Sequence, residues 1–255
     1  MTSNTDKSKK LINIKQIKAS KPSKIAFVWA HGWMRTHEDL QSIASQVTDL
    51  GDQYLVDLPA HSDTCSSSAT IDIDTYLNII DSIIEKIDKP IIWIGHSFGC
   101  RIGAHMGKRH PEKIKALFLI CPPFNRNKTL SIQSIPRKLK QTIYKTFILF
   151  GIPKKIILPF FASQDYLNAG TMRNLFVKWV NEDSSIPLKS LKMPVKLMFA
   201  ENDKATPPQL EKYFKMHCKR VTSKVLKHFD HYTILTHGQH QLIYNLIKYT
   251  EELHS

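Results

Sequence analysis

The pentapeptide "GHSFG" at 95–99 sets one hydroxyl, Ser97, between Gly95 and Gly99 at the end of the apolar run 91–94. A serine at the junction of a buried strand and a helix occupies a strained turn that lifts its hydroxyl clear of the sheet, and the flanking glycines leave room for that turn. The first N–H groups of the following helix point into the same space and make it an anion site. Such a serine is a poor nucleophile until a base takes its proton, so the chemistry demands a histidine and an acid that orients it. Both are available downstream, in the chain order serine, acid, histidine. Glu201 and Asp203 follow the strand-like "VKLMFA", and His228 and His231 lie in "KVLKHFDHYTIL". His228 falls inside the expected strand and His231 in the loop after it, while Asp230, adjacent to His231, is expected to point away from it.

The surrounding pattern supplies the elements that must hold these groups. Short apolar runs, "KIAFVWA" (24–30), "QYLVDLP" (53–59), "PIIWI" (90–94), "IKALFLIC" (114–121), "MPVKLMFA" (193–200) and "SKVLKHF" (223–229), alternate with amphipathic stretches. That rhythm predicts βα units around a mostly parallel sheet. Helices are expected from 37 to Gly51, over 71–88 with Ile73, Tyr76, Ile80, Ile83 and Ile87 on one face, over 98–109, over 207–217 and over 239–253. Between 122 and 187 the rhythm breaks, and this segment reads as an inserted helical cap. Its apolar piece "FILFGIPKKIILPFF" is cut by Gly151, Pro153, Lys154 and Lys155, too short to span a membrane. It serves either as core packing or as a wall for an acyl chain. The expected organisation is a tail at 1–10, a core at 11–121 and 188–255, and the cap at 122–187.

The 255 residues carry a formal charge of +14, which attracts anionic partners. No nucleic-acid-binding signature accompanies the charge, so nucleic acid is not expected; an acidic carrier protein or an anionic membrane surface stays open. Cys65, Cys100, Cys121 and Cys218 form no CxxC pair and no export signal precedes them, which reads as reduced thiols in a cytoplasmic protein. Cys100 and Cys121 read as small core residues. The H-x-x-H spacings at 228/231 and 237/240 lack cysteine or carboxylate ligands at recognised distances, so neither a metal nor a cofactor is expected.

Five segments, "HGW" (31–33), "DLPAHSD" (57–63), "GHSFG" (95–99), "AENDKATP" (200–207) and "FDHYTIL" (229–235), occur in the order that resembles the α/β-hydrolase superfamily, over residues 24–252. The resemblance implies an α/β-hydrolase fold with a mostly parallel central sheet flanked by helices and a small helical cap. It implies Ser97 as nucleophile, Asp203 rather than Glu201 as the acid, His231 as the base, and the backbone N–H groups of Trp33 and Phe98 as the oxyanion hole. A serine at this turn separates the chain from relatives that use a carboxylate there to open epoxides or displace halides. The implied reaction is hydrolysis of a carboxylic ester or thioester, a small-molecule acyl substrate, through an acyl-enzyme. A C–C bond hydrolase, a lipase and a non-catalytic binding protein are the alternatives. The "HGW" loop together with the basic Arg137, Lys138, Lys140, Lys145, Lys154 and Lys155 is similar to the methyl-ester esterases of biotin synthesis, whose acyl group rides on an acidic carrier protein. The chain departs from the family pattern at Met34, and at Ala60 and Ser62, where glycines are usual. His31 is expected to brace the oxyanion loop, and His61 and His96 to be structural or wall residues.

Overall fold

The computed structural model describes residues 12–59, 71–124 and 168–254, with positions 142, 145, 146, 148, 149 and 166. The chain forms two compact units, one of Met1–Asn125 with Asp183–Ser255 and one of Arg126–Glu182. In the first unit the elements are β1 (Asn13–Ile17), β2 (Ala26–Ala30), α1 (Glu38–Ser45), β3 (Asp52–Asp57), α2 (Ile73–Lys86), β4 (Ile91–His96), α3 (Phe98–Arg109) and β5 (Ile114–Ile120). The second unit contains a 3-10 turn, Gly170–Met172, that runs into α4 (Arg173–Asn181). There the Arg173 guanidinium lies over the Tyr166 ring at 5.0 Å, and Phe176 packs on the same tyrosine. The first unit resumes with α5 (Ser185–Lys189), β6 (Val195–Ala200), the 3-10 turn Pro208–Leu210, α6 (Glu211–His217), β7 (Val221–Leu226), α7 (Thr233–Thr236) and α8 (Gln239–His254). Most of the expected cap, including Arg137, Lys138, Lys140, Lys154 and Lys155, lies outside the described residues, as do His61, Ala60 and Ser62.

Among the described residues the strands make one seven-stranded sheet in the order β1-β3-β2-β4-β5-β6-β7. β1 runs antiparallel to β3 and every other pair is parallel. The chain steps from β2 outward to β3, then returns to β4 on the other side of β2. The winding direction therefore reverses between β2 and β4, and the loops leaving their carboxyl ends diverge into the crevice where such sheets bind ligands. His31 and Ser97 are the first residues past those two ends.

The strands sit where they do because their residues cannot face water. All of β2 and β4 is buried, as suits parallel strands covered by helices on both faces. On one face Phe27, Trp29, Ile92, Ile94 and Phe118 pack with Leu40 and Ile43 of α1 and Leu242, Leu246 and Tyr249 of α8. On the other, α3 lies so close that a Cβ on Gly103 would come within 2.5 Å of the Trp93 indole. Asp72 caps α2 by accepting the Thr75 N–H at 2.7 Å. No helix among the described residues is long and apolar enough to cross a membrane.

One strand and several boundaries differ from the sequence expectation. α1 stops at Ser45 instead of reaching Gly51, because the buried Gln53 amide donates to the carbonyls of Val47 and Gly51 at 3.1 and 2.6 Å and accepts from Trp29 Nε1 at 2.7 Å. β1 has no signature in the sequence pattern: "NIKQI" is short and interrupted by lysine, and only pairing with β3 gives its backbone partners. β7 ends at Leu226, so His228 is not a strand residue. Phe124 and α5 belong to the first unit, with Phe124 buried against Phe214 at 4.9 Å.

The turn between β4 and α3 is held by contact rather than by chain freedom. A Cβ on Gly99 would lie 2.0 Å from the Ala30 carbonyl oxygen, and one on Gly95 would lie 2.6 Å from the backbone of Gly99 and Cys100. Gly99→Ala is expected to cost about 3 kcal/mol, since the obstacle is backbone and not a side-chain tip. Urea unfolding measures it; an unchanged midpoint would refute this close approach.

Candidate active site

Ser97 adopts φ 49° and ψ −113°, a combination few L-residues visit, at an expense of about 1–3 kcal/mol. Its N–H donates to the Ile120 carbonyl at 2.9 Å and its own carbonyl accepts the Cys100 N–H at 2.9 Å, so strand and helix fix the turn from both sides. The loop after β2 lies against it, because a Cβ built on Gly32 would be 3.5 Å from Ser97 Cβ. Trp33 and Phe98 meet edge to face, ring centroids 5.1 Å apart, which brings the two residues of the expected oxyanion hole side by side. Met34, the departure noted in the sequence, has φ 57°, the left-handed backbone that favours glycine, and its side chain is turned out to solvent. Arg35 closes this turn onto the Gly32 carbonyl, pairs bidentately with Asp39 at 2.6 Å, and lies over the Tyr232 ring.

His31 secures the loop. Its Nδ1–H donates to the Gly32 carbonyl at 2.8 Å, its Nε2 accepts the Leu58 N–H at 2.9 Å, and its own carbonyl accepts the Gly99 N–H at 3.0 Å. Both ring bonds require the neutral imidazole, and burial pushes the His31 pKa down to about 4. The unfolded chain, with an ordinary value near 6.5, therefore binds the proton first, and stability is lost as pH falls from about 6.5 toward 4. At about 1.4 kcal/mol per pH unit this residue alone accounts for about 3 kcal/mol. Unfolding by urea at pH 7 and pH 4.5 tests this, and His31→Gln is expected to flatten the dependence.

Asp203 and His231 are brought together from loops after β6 and β7. Asp203 is buried, and its Oδ2 accepts His231 Nδ1–H at 2.6 Å and the Thr206 hydroxyl at 2.5 Å. Its Oδ1 accepts the N–H groups of Ala205 and Thr206 at 2.8 and 2.9 Å. Burial works against its charge, but the bonds from His231 and Thr206 outweigh it and hold the carboxyl well below the usual carboxylate range. Glu201 is turned elsewhere, accepting the His228 N–H at 3.0 Å. His228 is exposed with φ 70°, and Asp230 accepts the N–H groups of Tyr232 and Thr233 at the start of α7.

Two further residues border the site. His96, fully buried, donates Nε2–H to the His231 carbonyl at 3.0 Å and so ties the loop of His231 to the residue preceding Ser97. The rings of His96 and His231 are 4.9 Å apart. Burial, then the neighbouring His231, pushes the His96 pKa down to about 3, and its buried Nδ1 has no partner among the described residues. Cys121 is a buried core residue, as the sequence implies, but it has φ 50° and its thiol lies near the Asp203 carboxylate. Burial first, and that carboxylate second, keep the thiol well above its ordinary range. The only signal for it in the sequence is its place at the end of β5, just before Pro122 and Pro123, level with the ends of the strands that carry Ser97 and Asp203.

A mostly parallel sheet that reverses direction at a strained serine, with a carboxylate–imidazole pair on the following loops, defines a hydrolase fold. The chain belongs to the alpha/beta hydrolase family, whose model matches residues 27–243. It is 22% identical over 233 residues to a pimeloyl-[acyl-carrier protein] methyl ester esterase of Neisseria meningitidis, covering 82% of this chain and 87% of that protein. Among solved structures it is similar to a bacterial membrane phospholipase A (TM-score 0.71, 15% identity, 96% of this chain and 84% of the other). It is also similar to an esterase from Exiguobacterium antarcticum (TM-score 0.69, 15% identity, 94% and 95%). At such identities the structures speak for the fold alone.

Proposed function

We propose that this chain is a serine carboxylic ester hydrolase in which Ser97 is the nucleophile, His231 the base and Asp203 the acid. His231 takes the hydroxyl proton as Ser97 attacks the acyl carbonyl. The main-chain N–H groups of Trp33 and Phe98 hold the negative oxygen of the tetrahedral intermediate. His231 then hands the proton to the departing alkoxide, and water, activated by the same imidazole, releases the acid from the acyl-enzyme. The observation that carries this reading is the left-handed Ser97 at the reversal point of the sheet, with the 2.6 Å Asp203–His231 bond on a loop tied to the adjacent His96. An active-site fluorophosphonate tests it: labelling of the folded protein that Ser97→Ala abolishes is expected, and no labelling of the wild type would favour a binding protein.

For substrate we propose an ester whose acyl group is carried on an acidic protein, in a reducing, cytoplasmic setting. Support comes from the name of the Neisseria relative, the formal charge of +14, and the free, buried Cys100, Cys121 and Cys218. Charge attraction between protein partners is screened over about 8–10 Å at physiological salt. Raising salt from 50 to 500 mM should therefore cut kcat/KM for a carrier-linked methyl ester about tenfold or more while leaving a small free ester unchanged. Equal responses would remove the carrier and keep the esterase.

A further inference from the structure

We infer that His96, Cys121 and His231 form a site for a borderline-soft divalent cation, Zn2+ in particular, that inhibits the enzyme reversibly by capturing the imidazole of His231. Each residue offers one ligand atom, and the three atoms lie within 4.8 Å of one another, the group of this kind found among the described residues. Two imidazoles and a thiolate suit zinc and not magnesium or calcium, which take oxygen ligands. Zn–N bonds near 2.0 Å and Zn–S near 2.3 Å place tetrahedral ligands roughly 3.4–3.6 Å apart, so closure asks for about 1 Å of movement. His231 supplies that movement, since it lies on a loop with its ring partly open to solvent.

The local bonding is already arranged for a cation. His96 spends its one ring proton on the His231 carbonyl, which leaves Nδ1 as a buried lone pair with no donor. Asp203 accepts the His231 Nδ1–H, the carboxylate support that metal-binding histidines usually have. Cys121 is held at φ 50°, a strained backbone that a mere filler residue does not need. On binding, a Zn–S bond replaces the S–H bond and the thiol proton leaves to solvent, with no change of oxidation state. The imidazole of His231 is then no longer free to accept the Ser97 proton, so the inhibitory consequence rests on the proposed role of His231.

The test separates the site from that role. Cobalt(II) is added to the Ser97→Ala protein, and a thiolate-to-cobalt charge-transfer band of one equivalent is expected that Cys121→Ser in the same background removes. In parallel, hydrolysis of a small ester is titrated with buffered free Zn2+ for wild type, Cys121→Ser and His96→Asn, each normalised to its own metal-free rate. Half-inhibition should move at least about tenfold higher in both variants, and a chelator should restore wild-type activity. Absence of the band, its persistence without Cys121, or equal zinc sensitivity in the variants would overturn the site. If Cys121→Ser fails to fold, the His96→Asn arm decides. A cobalt band in a protein whose wild type hydrolyses no ester would keep the metal site and refute the hydrolase.

Discussion

Ser97→Ala is expected to lower kcat for any ester substrate by about 10^4–10^6-fold, the scale seen when a serine nucleophile is removed from an acyl-transfer site. The fold should survive, because nothing among the described hydrogen bonds depends on the Ser97 hydroxyl; its backbone N–H and carbonyl hold the turn. A companion variant separates chemistry from strain. Glycine relaxes the φ of 49° that serine must bear, so Ser97→Gly should be as inactive as alanine and yet more stable than wild type by about 1 kcal/mol. For a chain of this size that raises Tm by about 2–4 °C. Ester turnover and thermal unfolding on the three proteins check both halves. An alanine variant retaining a tenth of wild-type kcat would refute the proposed nucleophile.

The second large effect is expected at Asp203. Asp203→Asn should lower kcat about 10^4-fold with little change in KM. The reason lies in which oxygen is already committed. Oδ1 accepts two main-chain N–H groups, from Ala205 and Thr206, so an asparagine must leave its carbonyl there and turn its NH2 toward His231. That NH2 can only donate, which drives the imidazole proton to Nε2, the nitrogen proposed to receive the serine proton. Because the bonds to Asp203 hold its carboxyl below the usual range, it stays ionised through the neutral and mildly acidic region. Its contribution to stability is present above the ordinary carboxylate value and is lost only at lower pH. Rates from pH 6 to 9 measure the effect; an asparagine variant within tenfold of wild type would remove Asp203 from the proposed role.

Much of this architecture is legible in the amino-acid sequence. Apolar runs such as 91–94 have no place but a buried strand, and the apolar faces of α2 and α8 announce helices, so the order of the main elements after β1 follows from local patterns. The residues of the proposed site stand out in the sequence as well, because a serine between glycines at a strand end is a local motif, and its proposed partners fall in a set chain order. What local pattern missed was β1, whose backbone finds partners only in β3, and the end of α1, cut short by the buried side chain of Gln53, a contact that no helical pattern near 38–50 contains.

Local pattern in this chain determines most of the strands and helices and the serine turn, since those depend on residues a few positions apart. Folding in three dimensions decided everything that depends on residues far apart. It turned Glu201 to the backbone of His228 and Asp203 to His231, two carboxylates two positions apart in sequence with different partners. It tied His96, expected only as a structural or wall residue, to the loop of His231 135 residues away, and it set the core residue Cys121 near Asp203. The physical reason is that orientation at a strand end is set by the neighbouring strands and loops, and these meet only once the sheet has closed.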